Sequence, residues 1–299
     1  MLAKNNATLV DIAVSKYIIC IYLVNFVSTN MKIKEFFETH PVFRYEEFAA
    51  FMTAIGTTRP ESWRQQLSYH QKAGHLIHIR KFLYAVKPIF SQDVSIDSYL
   101  IASKATTDAV LAYHTALELH GVAYTTFSEL TILTTHQLQP FTYEGQRFRA
   151  VIKPKVFFDN NTDYGIEIVK RSGMLVKITS LERCIVDILD RPDLGGGWEE
   201  IWRSLDNITR FNANKLIEYA LLLKNSTTVS KVGFFLEQLP AHLAIEKNVI
   251  EKLLPHIPKQ AHYMNREERK GGKYFEKWRL IVPLSIVDRL WEEPNVENI

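Results

Sequence analysis

Ten side chains between residues 59 and 81 share one kind of hydrogen-bonding chemistry: Arg59, Ser62, Arg64, Gln65, Gln66, Tyr69, Lys72, His78, Arg80 and Lys81. A guanidinium offers a planar fork of donors and a Gln carboxamide offers a donor beside an acceptor. Both geometries match the edges of nucleic-acid bases in the major groove, guanine for Arg and adenine for Gln. Lysine, serine and tyrosine are suited to phosphate oxygens, which position a protein on a duplex without reading its sequence. From Arg59 to Phe90 there are six Lys or Arg residues against one acidic residue, Glu61, so the charge lies where this chemistry lies.

These residues need elements to present them. Phe48, Phe51, Met52 and Ile55 recur at helical spacing ahead of Gly56, with Glu46, Glu47 and Thr53 left on the wet face. A second helix starts after Thr58 or Arg59, because Pro60 lacks an N–H that a first turn leaves unused and Glu61 suits the positive helix end. Its Trp63, Leu67 and Ala73 are expected to face inward. Arg59, Ser62, Arg64, Gln65, Gln66, Ser68, Tyr69, His70 and Lys72 are expected to face outward. Gly74 closes this helix, and two strand-like runs follow, His75 to Arg80 and Phe82 to Val86, with Arg80 and Lys81 at the hairpin tip. That order reads as a winged helix-turn-helix, whose second helix would enter the major groove while the hairpin lies along the backbone or in the minor groove. Residues 31–90 carry nine basic and five acidic side chains, a net of +4. The same architecture also serves as a dimerisation or docking module, and the charge asymmetry is what favours double-stranded DNA.

At 299 residues the chain is long enough for two or three compact units, with 46% hydrophobic and 23% charged residues as in an ordinary globular protein. The overall charge of +3 is too small to argue for a polyanionic partner. Cys20 and Cys184 form no CxxC and no metal spacing, so no disulfide scaffold, metal or cofactor is expected, and a reducing cytoplasm fits. Tyr17 to Val27 is strongly apolar, but a bilayer core of ~30 Å needs about 20 such residues, so no membrane span is expected. Residues 1–30 are read as an upstream extension, from a misassigned start or without a role in the fold, since Met31 opens the amphipathic segment MKIKEFFETHPVF; an added helix or strand that covers an apolar groove is the alternative.

Residues 91–98 form a polar linker, and residues 99–299 are expected to form a larger mixed α/β domain with a helical C-terminal part, giving an α+β chain. Asp108 to His120 reads as a helix. His114, Glu118 and His120 do not share one of its faces, which argues against a metal site. Strand-like runs follow at Glu129–Thr134, Arg147–Ile152, Val156–Phe158, Gly165–Val169 and Met174–Ile178. Thr179 or Ser180 then caps a helix that Arg191-Pro192 ends. Gly195-Gly196-Gly197 resembles a phosphate loop only superficially and reads as a tight interhelical turn. Helices are expected at Trp198–Leu205, Ala213–Leu223, Thr227–Leu239 and Ile245–Leu254, with a last strand around Val282 and Leu284. The segment from Lys259 to Arg279 has seven basic and three acidic residues interleaved with aromatics. Its Lys259, Arg266, Arg269, Lys270, Lys273 and Lys277 are a candidate second basic surface. An enzymatic alternative would place Asp159, Asp163, Glu167 and Asp187 near Lys170 in a nuclease-like sheet, but their spacing matches no metal-nuclease pattern, and the chain is not expected to be an enzyme.

Several of these pieces together resemble the AbiEi antitoxin family of bacterial type IV toxin-antitoxin systems. They are Tyr99-Leu100-Ile101-Ala102-Ser103 leading to Tyr113 through Gly121, Thr179 through Asp187 with Arg191-Pro192 and Gly195-Gly196-Gly197, and Lys231 through Glu237. The likeness runs from about Phe43 to Leu239. Residues 1–30 have no counterpart in it, and the segment after about Pro255 matches weakly. The resemblance implies an autorepressor that binds repeats upstream of its own operon. It also implies a nucleotidyltransferase-like toxin as functional partner, neutralised without a stable complex. A winged-helix regulator with no toxin partner is the alternative.

Overall fold

The computed structural model describes residues 30–87, 95–159, 163–240, 243, 245–265, 271–289 and 291. All of the N-terminal extension except Asn30 lies outside that set, as do residues 91–94 of the expected linker and Cys20. The chain divides into two compact units, one of residues 1–104 with 172–174 and one of residues 105–171 with 175–299. The division falls after Lys104 and not at residue 98. Ser98 opens a helix of the first unit where the sequence reading ends a linker.

The first unit runs helix α1 (30–39), strand β1 (Val42–Arg44), helices α2 (Tyr45–Ala54) and α3 (Pro60–Lys72), strands β2 (Leu76–Arg80) and β3 (Leu83–Val86), then helix α4 (Ser98–Ser103). The strands form a sheet in the order β1-β3-β2, all antiparallel, with Phe43 opposite Tyr84 and His78 also opposite Tyr84. Ile33, Phe36 and Phe37, at i, i+3 and i+4 of α1, bury one helical face. They meet Phe43, Phe48, Met52, Leu67 and Leu76, one inward residue or pair from each of β1, α2, α3 and β2. The rings of Phe36 and Phe43 stand edge to face at 5.2 Å, a geometry aromatic pairs favour. Glu47 Oε2 accepts from the backbone N–H of Arg44 at 2.8 Å and closes the start of α2. Gly56, at φ +91°, lets the chain leave α2 in a left-handed turn. Trp63 Nε1 donates to Thr57 O at 3.0 Å and ties that turn to α3.

The second unit starts with strand β4 (Val110–Leu111) and helix α5 (His114–His120), then strands β5 (Glu129–Thr134), β6 (Phe141–Tyr143) and β7 (Gln146–Ile152) and the single-turn helix α6 (Val156–Asp159). The hairpin β8 (Ile166–Arg171) and β9 (Met174–Thr179) leads into helices α7 (Leu181–Asp190), α8 (Trp198–Asp206), α9 (Ala213–Leu222), α10 (Ser226–Glu237) and α11 (Lys247–Glu251). Strands β10 (His262–Tyr263), β11 (Lys273–Phe275) and β12 (Leu280–Val282) and the turn α12 (Leu284–Val287) end the described chain. The main sheet has six strands in the order β6-β7-β5-β4-β9-β8. β5 lies parallel to β7 and antiparallel to β4, and β4 lies parallel to β9. A mixed sheet with helices packed on it makes the chain α+β. β10 and β11 flank β12 in a second small sheet, so Val282 ends a strand and Leu284 begins a helical turn.

Two expectations change here. The helix expected over Asp108–His120 is a central strand followed by a shorter helix, because Val110 and Leu111 are buried on both faces and Tyr113, at φ +55°, breaks the chain direction before α5. Val156–Phe158 is helical and not extended: after Pro154, the N–H of Phe157 bonds back to the Pro154 carbonyl at 3.0 Å, and Phe157 turns into the core. The helices α7 to α10 bury Ile185, Leu189, Ile201, Trp202, Leu216, Tyr219, Val232 and Phe235 in one core. Side-chain caps from Ser180, Asn212 and Asn225 start three of them. Gly233 sits where α10 meets Trp278, since a β-carbon there would lie 2.1 Å from the indole.

Candidate nucleic-acid interface

Helix α3 has the site's chemistry on one side. At ~100° per residue, Arg64, Gln65, Ser68, Tyr69 and Lys72 fall on one arc and Trp63, Leu67 and His70 on the opposite one. The burial follows that division. Arg59, Arg64, Gln65, Tyr69 and Lys72 are exposed, Ser62, Gln66 and Ser68 half-buried, and Leu67 and His70 buried. Tyr69 is 59% exposed, unusual for so large a ring and well suited to stacking or phosphate contact. The Ser62 hydroxyl donates to Arg59 O at 2.7 Å, so it serves the first turn of its own helix.

His70 does not face outward as expected. It lies 5% exposed between α1 and the start of β2, its Nδ1 3.2 Å from His75 Nδ1 and its ring edge-on to Phe37 at 5.0 Å. Burial lowers its pKa, assisted by His75 and Lys34. Ala73, expected inside, is exposed at the helix end.

On the hairpin, His78 and Lys81 are exposed. Arg80 is half-buried, and burial together with Arg44 lowers its pKa. The tip is Lys81-Phe82 and not Arg80-Lys81: Arg80 pairs with Leu83 as the last rung of the ladder. Phe82, read from the sequence as the first residue of a strand, stands 42% exposed at φ +66°. Lys81 Nζ lies 5.0 Å from its ring centroid. Nothing in the run Arg80-Lys81-Phe82 carries the Gly or Asn signal that marks such a tip, so the pattern placed the turn a residue early.

Of the candidate second basic surface, Lys259, Lys273 and Lys277 are exposed, while Arg266, Arg269 and Lys270 lie outside the described residues. Lys277 pairs with Glu237, and Arg279 donates to Pro258 O at 2.9 Å. Part of the basic charge is thus spent inside the unit.

The residues weighed for other chemistry are tied into the second unit. His114 is stacked on Phe127 at 3.7 Å, with Nε2 2.9 Å from Glu200 Oε1 and Nδ1 3.1 Å from Glu118 Oε1. Burial opposes the charge on Glu200, but bonds from His114 and Thr125 outweigh it and lower the pKa of that carboxyl. His120 is held apart from this cluster by its contact with Thr179 O at 2.8 Å. Asp187 is buried, accepting from Tyr219 Oη at 2.6 Å and facing Arg183 at 3.4 Å. Burial raises its pKa to about 6 against the pull of Arg183. Asp163 faces Lys177 at 3.7 Å on the surface, and Glu167 and Lys170 are exposed. Among the described residues no group of three His, Cys, Asp or Glu side chains is placed to hold a metal ion. Cys184 is buried with Sγ 3.1 Å from Tyr113 O, and burial pushes its thiol pKa up. The glycine run ahead of α8 serves close packing, since a β-carbon on Gly196 would lie 2.5 Å from Phe127. A cavity of about 670 Å³ adjoins this turn, lined by Asp190, Arg191, Trp198, Thr227 and Lys231. Its cations are engaged: Lys231 donates to Leu189 O at 3.0 Å and Arg191 pairs with Asp193.

The sequence matches no family model and no curated protein. In three dimensions the chain is similar to the crystal structure of the Rv2827c protein from Mycobacterium tuberculosis, with a TM-score of 0.56 and 14% identity over 88% of this chain and 94% of that one. That likeness shows the fold. No helix among the described residues is long and apolar enough to cross a membrane.

Proposed function

We propose that the chain is a sequence-specific, double-stranded DNA-binding autorepressor and the antitoxin of a type IV toxin-antitoxin pair. The observation that carries the DNA reading is the exposed arc of Arg64, Gln65, Tyr69 and Lys72 on α3, on a unit that runs helix, strand, two helices and a hairpin, an order compatible with the winged helix expected from the sequence. α3 would supply base readout through Arg64 and Gln65, while Arg59, Lys72, His78 and Lys81 would meet phosphates. Arg80, half-buried, would act chiefly through the local field. The antitoxin part rests on the AbiEi-like motifs at Tyr99–Gly121 and Thr179–Gly197. A nucleotidyltransferase-like toxin would be the functional partner, neutralised without a stable complex. Co-expression tests this part: the chain should restore growth to cells expressing the toxin encoded by the adjoining gene. No rescue, or no nucleotidyltransferase-like gene there, would leave only a DNA-binding regulator.

A further inference from the structure

We propose that Phe82 is an apolar wedge that enters the minor groove and unstacks one base step, so that binding bends the DNA. The inference rests on the DNA reading above and adds a contact that neither the basic residues nor α3 supplies. Phe82 combines two costly properties. It exposes 42% of its surface at the foremost turn of the hairpin, and it adopts φ +66°, a region where a bulky side chain is strained and where Gly or Asn is the ordinary choice. Held strain of this kind persists where surrounding contacts over-determine it, and it clusters at functional positions. Here the anchor is the N–H of Tyr45, which donates to Phe82 O at 2.9 Å and pins the turn to the start of α2. The Tyr45 ring lies 6.1 Å from that of Phe82 and limits its directions.

The surroundings suit a polyanion. Lys81 sits beside the ring, with Arg44 and Arg80 close enough to each other to repel. Glu46 faces Arg44 and offsets part of that charge. An aromatic tip flanked by cations matches the way architectural proteins work, inserting Phe, Leu, Ile or Met between base steps while basic side chains hold the strands.

The test uses the full chain and a duplex from immediately upstream of its coding sequence. Circularly permuted fragments report bending by gel mobility, and anisotropy reports affinity. Phe82→Asn relieves the backbone strain and removes the wedge. It should melt at or near the temperature of the unaltered chain, bind about tenfold more weakly and lose the bend. Phe82→Leu keeps an apolar wedge and should keep most of the bend. In the unaltered complex, 2-aminopurine moved through the duplex should brighten at one step, a readout that needs no variant. Equal affinity and bend for Phe82→Asn, or no brightening at any step, would overturn the wedge while leaving DNA binding intact. A change in oligomeric state with DNA binding unchanged would also overturn it, in favour of self-association. Failure of the unaltered chain to retain DNA at low salt would overturn the DNA reading itself.

Discussion

Arg64 and Gln65 differ from Lys81 in what they could know about a DNA sequence. A guanidinium or carboxamide in the major groove loses its paired bonds when the base changes. An ammonium at a phosphate is indifferent to the base. Arg64→Ala and Gln65→Ala should each cost about 1–3 kcal/mol on the cognate duplex and less on random DNA, whereas Lys81→Ala should weaken both alike. Anisotropy against the two duplexes measures the difference. Equal losses on both for all three variants would remove base readout from α3. Ser62 belongs to a different class, because its hydroxyl serves Arg59 O and its loss should register mainly as lost helix stability.

At the scale of elements, the burial of His70, with His75 beside it, makes the first unit sensitive to acid. His70 titrates below its ordinary value of 6.5 when folded, because burial, His75 and Lys34 all disfavour its charge. In the unfolded chain it takes up a proton near 6.5, so unfolding binds more protons than the folded state in the window below that value. The stability that the neutral His70 ring contributes is complete above pH 6.5 and falls as the pH drops below it. Thermal melts between pH 7.5 and 5 should show this loss, and His70→Phe should flatten it. An unchanged slope in that variant would assign the pH dependence elsewhere. Gly233→Ala should cost about 1–3 kcal/mol by pressing a methyl group into Trp278, which a lowered melting temperature would register. Helices α7 to α9 were legible because each carries an apolar face at helical spacing, the first with Thr179 or Ser180 as its cap, and α10 because its apolar run is too long for a strand. β4 was not, since a strand buried on both sides has no alternation and its Ala109-Val110-Leu111-Ala112 passes for a helix. His70 looked like a surface residue because its burial depends on α1 and His75, which α3's own period does not reveal. Phe82 was hidden for the opposite reason, a tip built without the residue types that announce one.

For the whole molecule, a net charge of +3 says little, while the +4 of residues 31–90 says where an anionic partner would meet the chain. Five or so phosphate contacts by Arg59, Lys72, His78, Lys81 and their neighbours would release counterions, with log K falling against log salt at a slope of about −0.9 per contact. The most direct measurement is anisotropy of the full chain on the duplex upstream of its own coding sequence and on a scrambled duplex of equal length, from 50 to 200 mM salt. A sequence-reading, phosphate-contacting chain prefers the upstream duplex at every salt concentration and shows a steep negative slope on both. Equal affinity for the two duplexes, or a flat salt dependence, would contradict that reading.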